Sequence, residues 1–156
     1  MICTLAGAAF SSALRQRCVR LRLVITLINE LSAKIRYRSV HLSVLIKELA
    51  EEKTFENFGF LKEICSGIEH GLTVQEAWMA AAVAAPFFSG ADRETIGAVG
   101  TQLGETDTEG QISMLSVAES MLSHSLESAE KEYERKARAV MGAWVFCGIG
   151  AGIIII

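Results

Sequence analysis

Only one proline, Pro86, stands in the 156 residues, and between residues 12 and 85 no stretch sustains the apolar–polar alternation of a half-buried strand. Without strand periodicity or internal helix breakers, the chain predicts an all-α fold. Cysteine is sparse and scattered. Cys3, Cys18, Cys65 and Cys147 form no CxxC pair and no cluster with histidine, so neither a zinc site nor a disulfide framework is indicated. His41, His70 and His124 are equally isolated, and none has a histidine one helical turn away with which to hold a metal. A nucleotide loop is lacking too: Gly148-Ile149-Gly150-Ala151-Gly152 follows no strand, carries no lysine and leads into no amphipathic helix. The acidic pairs Glu51-Glu52 and Glu130 with Glu134 read as exposed helical carboxylates, and no nucleophile, base and orienting group fall into a recognisable motif. The chain is therefore expected to be no enzyme, with no catalytic residue, no cofactor and no metal.

What the chain does have is apolar ends. Ala139–Ile156 is eighteen residues without a charge. As a helix it would reach about 27 Å, close to the ~30 Å hydrocarbon core of a bilayer, and it is predicted to be a transmembrane helix. Met1–Leu14 is apolar but holds Thr4, Ser11 and Ser12, and as a helix it would reach only about 21 Å. It is expected to be an N-terminal membrane segment, either short and tilted or truncated by a late start. Small residues four apart, Ala139 with Ala143 and Gly148 with Gly152, allow close helix contact in lipid.

Charge is segregated between the two ends. From Ser39 to Glu130 there are four Lys/Arg against fifteen Asp/Glu, a balance of −11. The flanks are basic: Arg15, Arg17, Arg20 and Arg22 follow the first apolar segment, and Lys136 and Arg138 precede the last. Basic residues gather on the cytoplasmic side of membrane segments, so residues 15–138 are expected to form a cytoplasmic domain with both termini outside. Those six cations are the expected membrane-proximal contacts with anionic lipid headgroups. The acidic centre would repel phosphates, so no nucleic acid partner is expected.

Within residues 15–138 six helices are predicted. Leu21, Val24, Leu27, Ile28, Leu31 and Ile35 mark the first, over Arg15–Arg38. Ser39 is the expected N-cap of the second, which runs through Glu52 and buries Val44, Leu45 and Leu49. Phe55, Phe58, Leu61, Ile64 and Ile68 mark the third, with Gly71 at its C′ position. Phe55, Phe58 and Phe60 are read as core. Thr73 and Glu76 form a capping box that opens the fourth helix, which Pro86 stops. The fifth is expected from about Asp92 to Leu103, ending at Gly104. Thr106 and Glu109 form a second expected capping box, opening a long sixth helix whose seam is Leu115, Ala118, Leu122, Leu126, Ala129 and Tyr133.

Three stretches carry a resemblance: Leu27-Ile28-Asn29-Glu30-Leu31 with Ile35-Arg36-Tyr37, Gly71-Leu72-Thr73 through Glu76-Ala77-Trp78, and Leu103-Gly104-Glu105-Thr106-Asp107-Thr108-Glu109-Gly110-Gln111. In these the chain resembles the stage III sporulation protein AB family, over nearly its whole length. The third stretch is the most specific: Leu-Gly, a variable residue, Ser or Thr, then Asp with Gln four residues on, before a long helix that leads into a C-terminal membrane span. Two departures are His41-Leu42 where the family usually has Pro-Leu, and a shorter N-terminal apolar segment.

The resemblance implies a compact bundle of about six helices, related to the cytoplasmic domains of the inner-membrane platform protein of type II secretion. It also implies a non-enzymatic part in the complex that joins mother cell to engulfed forespore, in the mother-cell membrane around the forespore. The implied partners are a secretion-type ATPase, other membrane proteins of the sporulation channel, membrane lipids and further copies of the chain. Gly104, Glu105, Asp107, Glu109 and Gln111 are the candidate partner interface, because they are polar, join two helices and match the family most closely. A membrane-anchored adaptor or regulatory protein unrelated to sporulation is the alternative that the topology equally allows.

Overall fold

The computed structural model describes the backbone of residues 2–38 and 40–154 and the side chains of residues 12–38 and 40–138. Six α-helices follow in order: α1 Ile2–Tyr37, α2 Leu42–Glu51, α3 Gly59–Glu69, α4 Val74–Ala84, α5 Gly90–Gln102 and α6 Thr108–Ile154, with a 3₁₀ turn at Lys53–Phe55 before α3. There is no strand among the described residues. Each helix packs on the next and α6 returns to α1, which closes a ring around a single core.

The α1–α6 pair is the most extensive of these interfaces. Its seam is the one that the spacing predicts: Leu21, Val24, Leu27 and Leu31 on α1 and Leu115, Ala118, Leu122 and Ala129 on α6 are all buried. The two helices run antiparallel: Arg22 pairs with Glu130, and Arg17, earlier on α1, lies near Glu132, later on α6. Fully burying a large aliphatic side chain contributes about 1.5–3 kcal/mol, whereas an exposed ion pair contributes ~0.2–1 kcal/mol. The apolar seam therefore holds the pair together, and Arg22–Glu130 helps to set its register.

Both long helices run through the expected domain boundaries without a break. Leu14, the last residue of the expected N-terminal membrane segment, is already buried in the bundle. Ser12 and Ala13 beside it are exposed, and the rest of the two apolar segments on which the membrane expectation rests lies outside the residues whose side chains are described. Among the described residues no helix is long and apolar enough to cross a membrane.

The short helices are set by their ends. At the end of α3 the Gly71 amide donates to Ile68 O (3.1 Å) and the Leu72 amide to Gly67 O (3.0 Å), a Schellman closure that needs the positive φ of Gly71, +91°. Thr73 and Glu76 make the predicted capping box at α4. The helix stops at Ala84, and Ala85 is extended, as the residue before Pro86 must be. Arg93 donates twice to Ala85 O (3.1 and 2.8 Å), which satisfies a carbonyl left free by the end of α4. Three expectations are corrected. First, α2 begins at Leu42 with His41 as its N-cap, and it buries Leu45, Ile46 and Leu49 while Val44 is exposed, because the face turned to α1 and α3 lies one position on. Second, α3 begins at Gly59, so Phe55 belongs to the 3₁₀ turn before it rather than to the helix. Third, α5 starts earlier than expected, at Gly90.

Trp78 is the centre of the α4–α5 contact. It is fully buried, its Nε1 donates to Ile96 O (2.8 Å), and Phe60 meets it edge-on at 5.3 Å between centroids. Gly100 allows the close approach: a Cβ there would stand 2.5 Å from Trp78 Cδ1. On the same helix Gly97 has open space around it. Gly97→Ala should therefore raise stability by about 0.5–1 kcal/mol through helix propensity. Gly100→Ala should lower it by about 1–3 kcal/mol through overpacking. Denaturant midpoints of the two variants beside the wild type check this, and equal shifts would contradict the Trp78 packing.

Candidate functional site

The two regions singled out by sequence lie at opposite ends of the bundle. The Gly104–Gln111 turn opens α6, and Lys136 and Arg138 lie about 45 Å further along the same helix at 1.5 Å per residue. Because α1 runs antiparallel to α6, Arg15 to Arg22 share the end with Lys136 and Arg138.

At the turn, Asp107 rather than Thr106 caps α6. Its Oδ1 accepts from the Gly110 amide (3.0 Å), while Glu109 makes no capping bond, so the expected Thr106–Glu109 box is not formed. The reason is Gln111. Its Nε2 donates to Thr106 O (2.9 Å) and its Oε1 accepts from the Gly104 amide (3.3 Å), which pulls the chain round so that Asp107 falls at the cap. Gly104 has a positive φ of +82°, and a Cβ on Gly110 would come within 2.8 Å of Asp107 Oδ1. Leu103 fastens the turn to the core: it is fully buried, and its carbonyl accepts from Gln75 Nε2 (2.6 Å). Gly104, Asp107 and Gln111 thus close the turn, while Glu105 and Glu109 are exposed and enter no ion pair among the described residues. What the arrangement offers chemically is a rigid, acidic, solvent-facing corner.

At the basic end the six cations divide by helix face. Arg17 turns inward. Its Nε donates to Asp92 Oδ2 (2.8 Å) and its Nη2 to Asp92 Oδ1 (3.1 Å) and Ser89 Oγ (3.2 Å). Asp92 has no exposed surface and is the one buried charged residue among those described. It is also the N3 residue of a capping box that sequence reading missed: the Ser89 amide donates to Asp92 Oδ2 (2.9 Å) and the Asp92 amide to Ser89 Oγ (3.2 Å). The signal was present as Ser89 followed three residues later by an acid, but that acid is aspartate, shorter than the usual glutamate or glutamine. Burial pushes the Asp92 carboxyl up, yet the Arg17 guanidinium and the Ser89 amide and hydroxyl outweigh it and hold the carboxyl below its ordinary value. The bond to Asp92 in turn raises Arg17.

The other cations stay outside. Arg22 pairs with Glu130 across the seam, Lys136 with Glu132 (2.6 Å), and Arg138 with Glu134 (3.0 Å). Arg15 and Arg20 are in no ion pair among the described residues, and Arg20 lies 5.5 Å over the Phe87 ring. Cys18 is buried and Cys65 half-buried, both as free thiols that burial pushes up. No group of histidine, cysteine and acidic side chains among the described residues could hold a metal.

A closed six-helix ring, with an acidic capped turn at one end and a basic end from which both apolar segments continue, defines an all-α helical bundle. The chain belongs to the stage III sporulation protein AB family, whose model matches residues 1–156, and so has a role in stage III of sporulation. The family description names a sporulation protein and no reaction. Neither a comparison with curated proteins nor one with solved structures gave a match.

The depressed Asp92 carboxyl gives a pH signature. Such a group stabilises the fold above its unfolded value, near pH 3.9, and that contribution is lost as pH falls through the folded value. Denaturation of the chain in mild detergent should show a stability gap between wild type and Asp92→Asn that is constant from about pH 5 to 8 and shrinks below about pH 4. A gap that is unchanged down to the acid limit would mean that the carboxylate charge contributes nothing.

Proposed function

We propose that the chain is a non-enzymatic membrane platform component of the complex that joins mother cell to engulfed forespore, and that it recruits or couples a cytoplasmic secretion-type ATPase. The observation that carries this reading is membership of the stage III sporulation protein AB family over the full 156 residues. In this reading residues 139–156 span the membrane, residues 1–14 enter it beside them, and the domain between faces the cytoplasm.

Two features of the fold support it. The antiparallel α1–α6 pair brings both apolar segments out of the same end of the bundle, as attachment to one membrane requires. The acidic turn lies at the other end, where a soluble partner has access. Complementary charge at such a surface mainly sets encounter rate and specificity. Glu105 and Glu109 are the residues to carry it, because they are exposed and charged while Asp107 and Gln111 are committed to closing the turn.

A titration of the partner ATPase against the chain tests the coupling. Glu105→Lys with Glu109→Lys should weaken binding several-fold at low salt and less at moderate salt, with the melting temperature unchanged. Gln111→Ala should instead lower stability by about 0.5–1.5 kcal/mol, since it releases the hydrogen bonds that close the turn. Affinity indifferent both to the two lysines and to salt would remove the turn as the docking surface.

A further inference from the structure

Seven of the fifteen Lys and Arg residues, Arg17, Arg22, Lys34, Arg38, Lys131, Lys136 and Arg138, are held in ion pairs. Of the other eight, three line one cavity. About 560 Å³ in volume, it lies beside the membrane-proximal half of α1 and is lined by Arg15 and Arg20 from that helix and Lys53 from the 3₁₀ turn. No carboxylate lines it, and none of the three cations is in an ion pair among the described residues. Three like charges facing one space repel each other, and an anion that enters the space gains from all three.

We propose that this cavity binds the phosphate of an anionic phospholipid headgroup. Phosphate chemistry follows from three cations lining one space, with guanidinium groups suited to paired contacts with phosphate oxygens. The choice of a lipid follows from the surroundings. Val19 and Leu23 line the same cavity, and Val19 is exposed. Arg20 also lines a second, apolar cavity of about 340 Å³ with Pro86, Phe87 and Phe88, and it lies over the Phe87 ring. It thus stands between a cationic space and a mostly apolar one, whose lining also includes Glu63. Asn57 O accepts from Arg20 Nη1 (3.4 Å) and helps to fix the guanidinium there.

The proposal rests on the membrane attachment read above and narrows it. Contact with lipid is assigned to Arg15, Arg20 and Lys53. Arg17 is given to Asp92, and Lys53, which lies far from both apolar segments in sequence, is added.

The test uses the full chain in nanodiscs of equal phosphatidylglycerol and phosphatidylcholine, with the lipid that stays bound on release counted by native mass spectrometry. Wild type should retain phosphatidylglycerol over phosphatidylcholine by roughly fivefold or more, the worth of at least one basic residue beside an anionic headgroup. Arg15→Gln with Lys53→Gln, two exposed positions whose loss leaves the core untouched, should bring the ratio close to one. Arg36→Gln with Lys62→Gln, an equal loss of charge outside the cavity, should leave it as in wild type. An unchanged ratio in the first variant, or an equal loss in the second, would overturn the assignment. In discs of phosphatidylcholine alone, inorganic phosphate followed by ³¹P line broadening should bind only weakly. Tight phosphate binding with no lipid preference would make the cavity a free-anion site and overturn the lipid assignment. A chain that fails to enter either disc contradicts the membrane reading itself, whereas normal entry with no selectivity contradicts only the cavity.

Discussion

A carboxylate with no exposed surface must be satisfied inside the protein, and Asp92 is satisfied from two directions. Ser89 holds it from within its own capping box, and Arg17 holds it from α1, 75 residues away. Leaving such a charge without its partner typically costs about 3–5 kcal/mol, more than the loss of an ordinary cap at ~1 kcal/mol. The start of α5 is therefore tied to one point on α1, and with it the Pro86 corner and the Trp78 packing between α4 and α5. The apolar seam of α1 and α6 supplies most of the cohesion. It is non-directional, however, and the Arg17–Asp92 pair fixes where the α4–α5 hairpin sits along it.

That placement has a functional consequence. With α4 and α5 antiparallel and the start of α5 held at the basic end, the end of α5 arrives at the opposite end of the ring. There Leu103 is buried and Gln75 takes its carbonyl. The Gly104–Gln111 turn is thereby presented away from the apolar segments, about 45 Å along α6 from Arg138. One end is basic and continues into apolar helix, and the other is acidic and closed by its own hydrogen bonds. A buried ion pair and two glycine-dependent turns maintain this separation, which the proposed platform role would use.

Much of this was legible in the residues. The long seams read correctly, because three-and-four spacing over several turns leaves one buried face, and Gly71, Gly104, Thr73 with Glu76, and Pro86 marked the ends where they lie. The misreadings have local causes. Val44 was taken as buried in place of Ile46 because α2 is short and its buried face depends on α1 and α3, which spacing within ten residues cannot reveal. Thr106 lost the cap to Asp107 because a side chain four residues beyond, Gln111, determines how the turn closes. The basic cluster hid its division: Arg15, Arg17, Arg20 and Arg22 are neighbours in sequence, but helical geometry sends Arg17 to Asp92 and Arg22 to Glu130 and leaves Arg15 and Arg20 outward. Lys53 gave no signal at all, since only the folded 3₁₀ turn carries it to α1.

The account stands most directly on the coupling between Arg17 and Asp92. A double-mutant cycle with Arg17→Met and Asp92→Asn, read by denaturant unfolding of the chain at neutral pH, measures it. Each single change should be clearly destabilising, and the pair should fall short of their sum by about 1.5–3 kcal/mol, as for a hydrogen-bonded charged contact. Effects that add to within about 0.5 kcal/mol would show the two residues to be independent. The hairpin would then be positioned by packing alone.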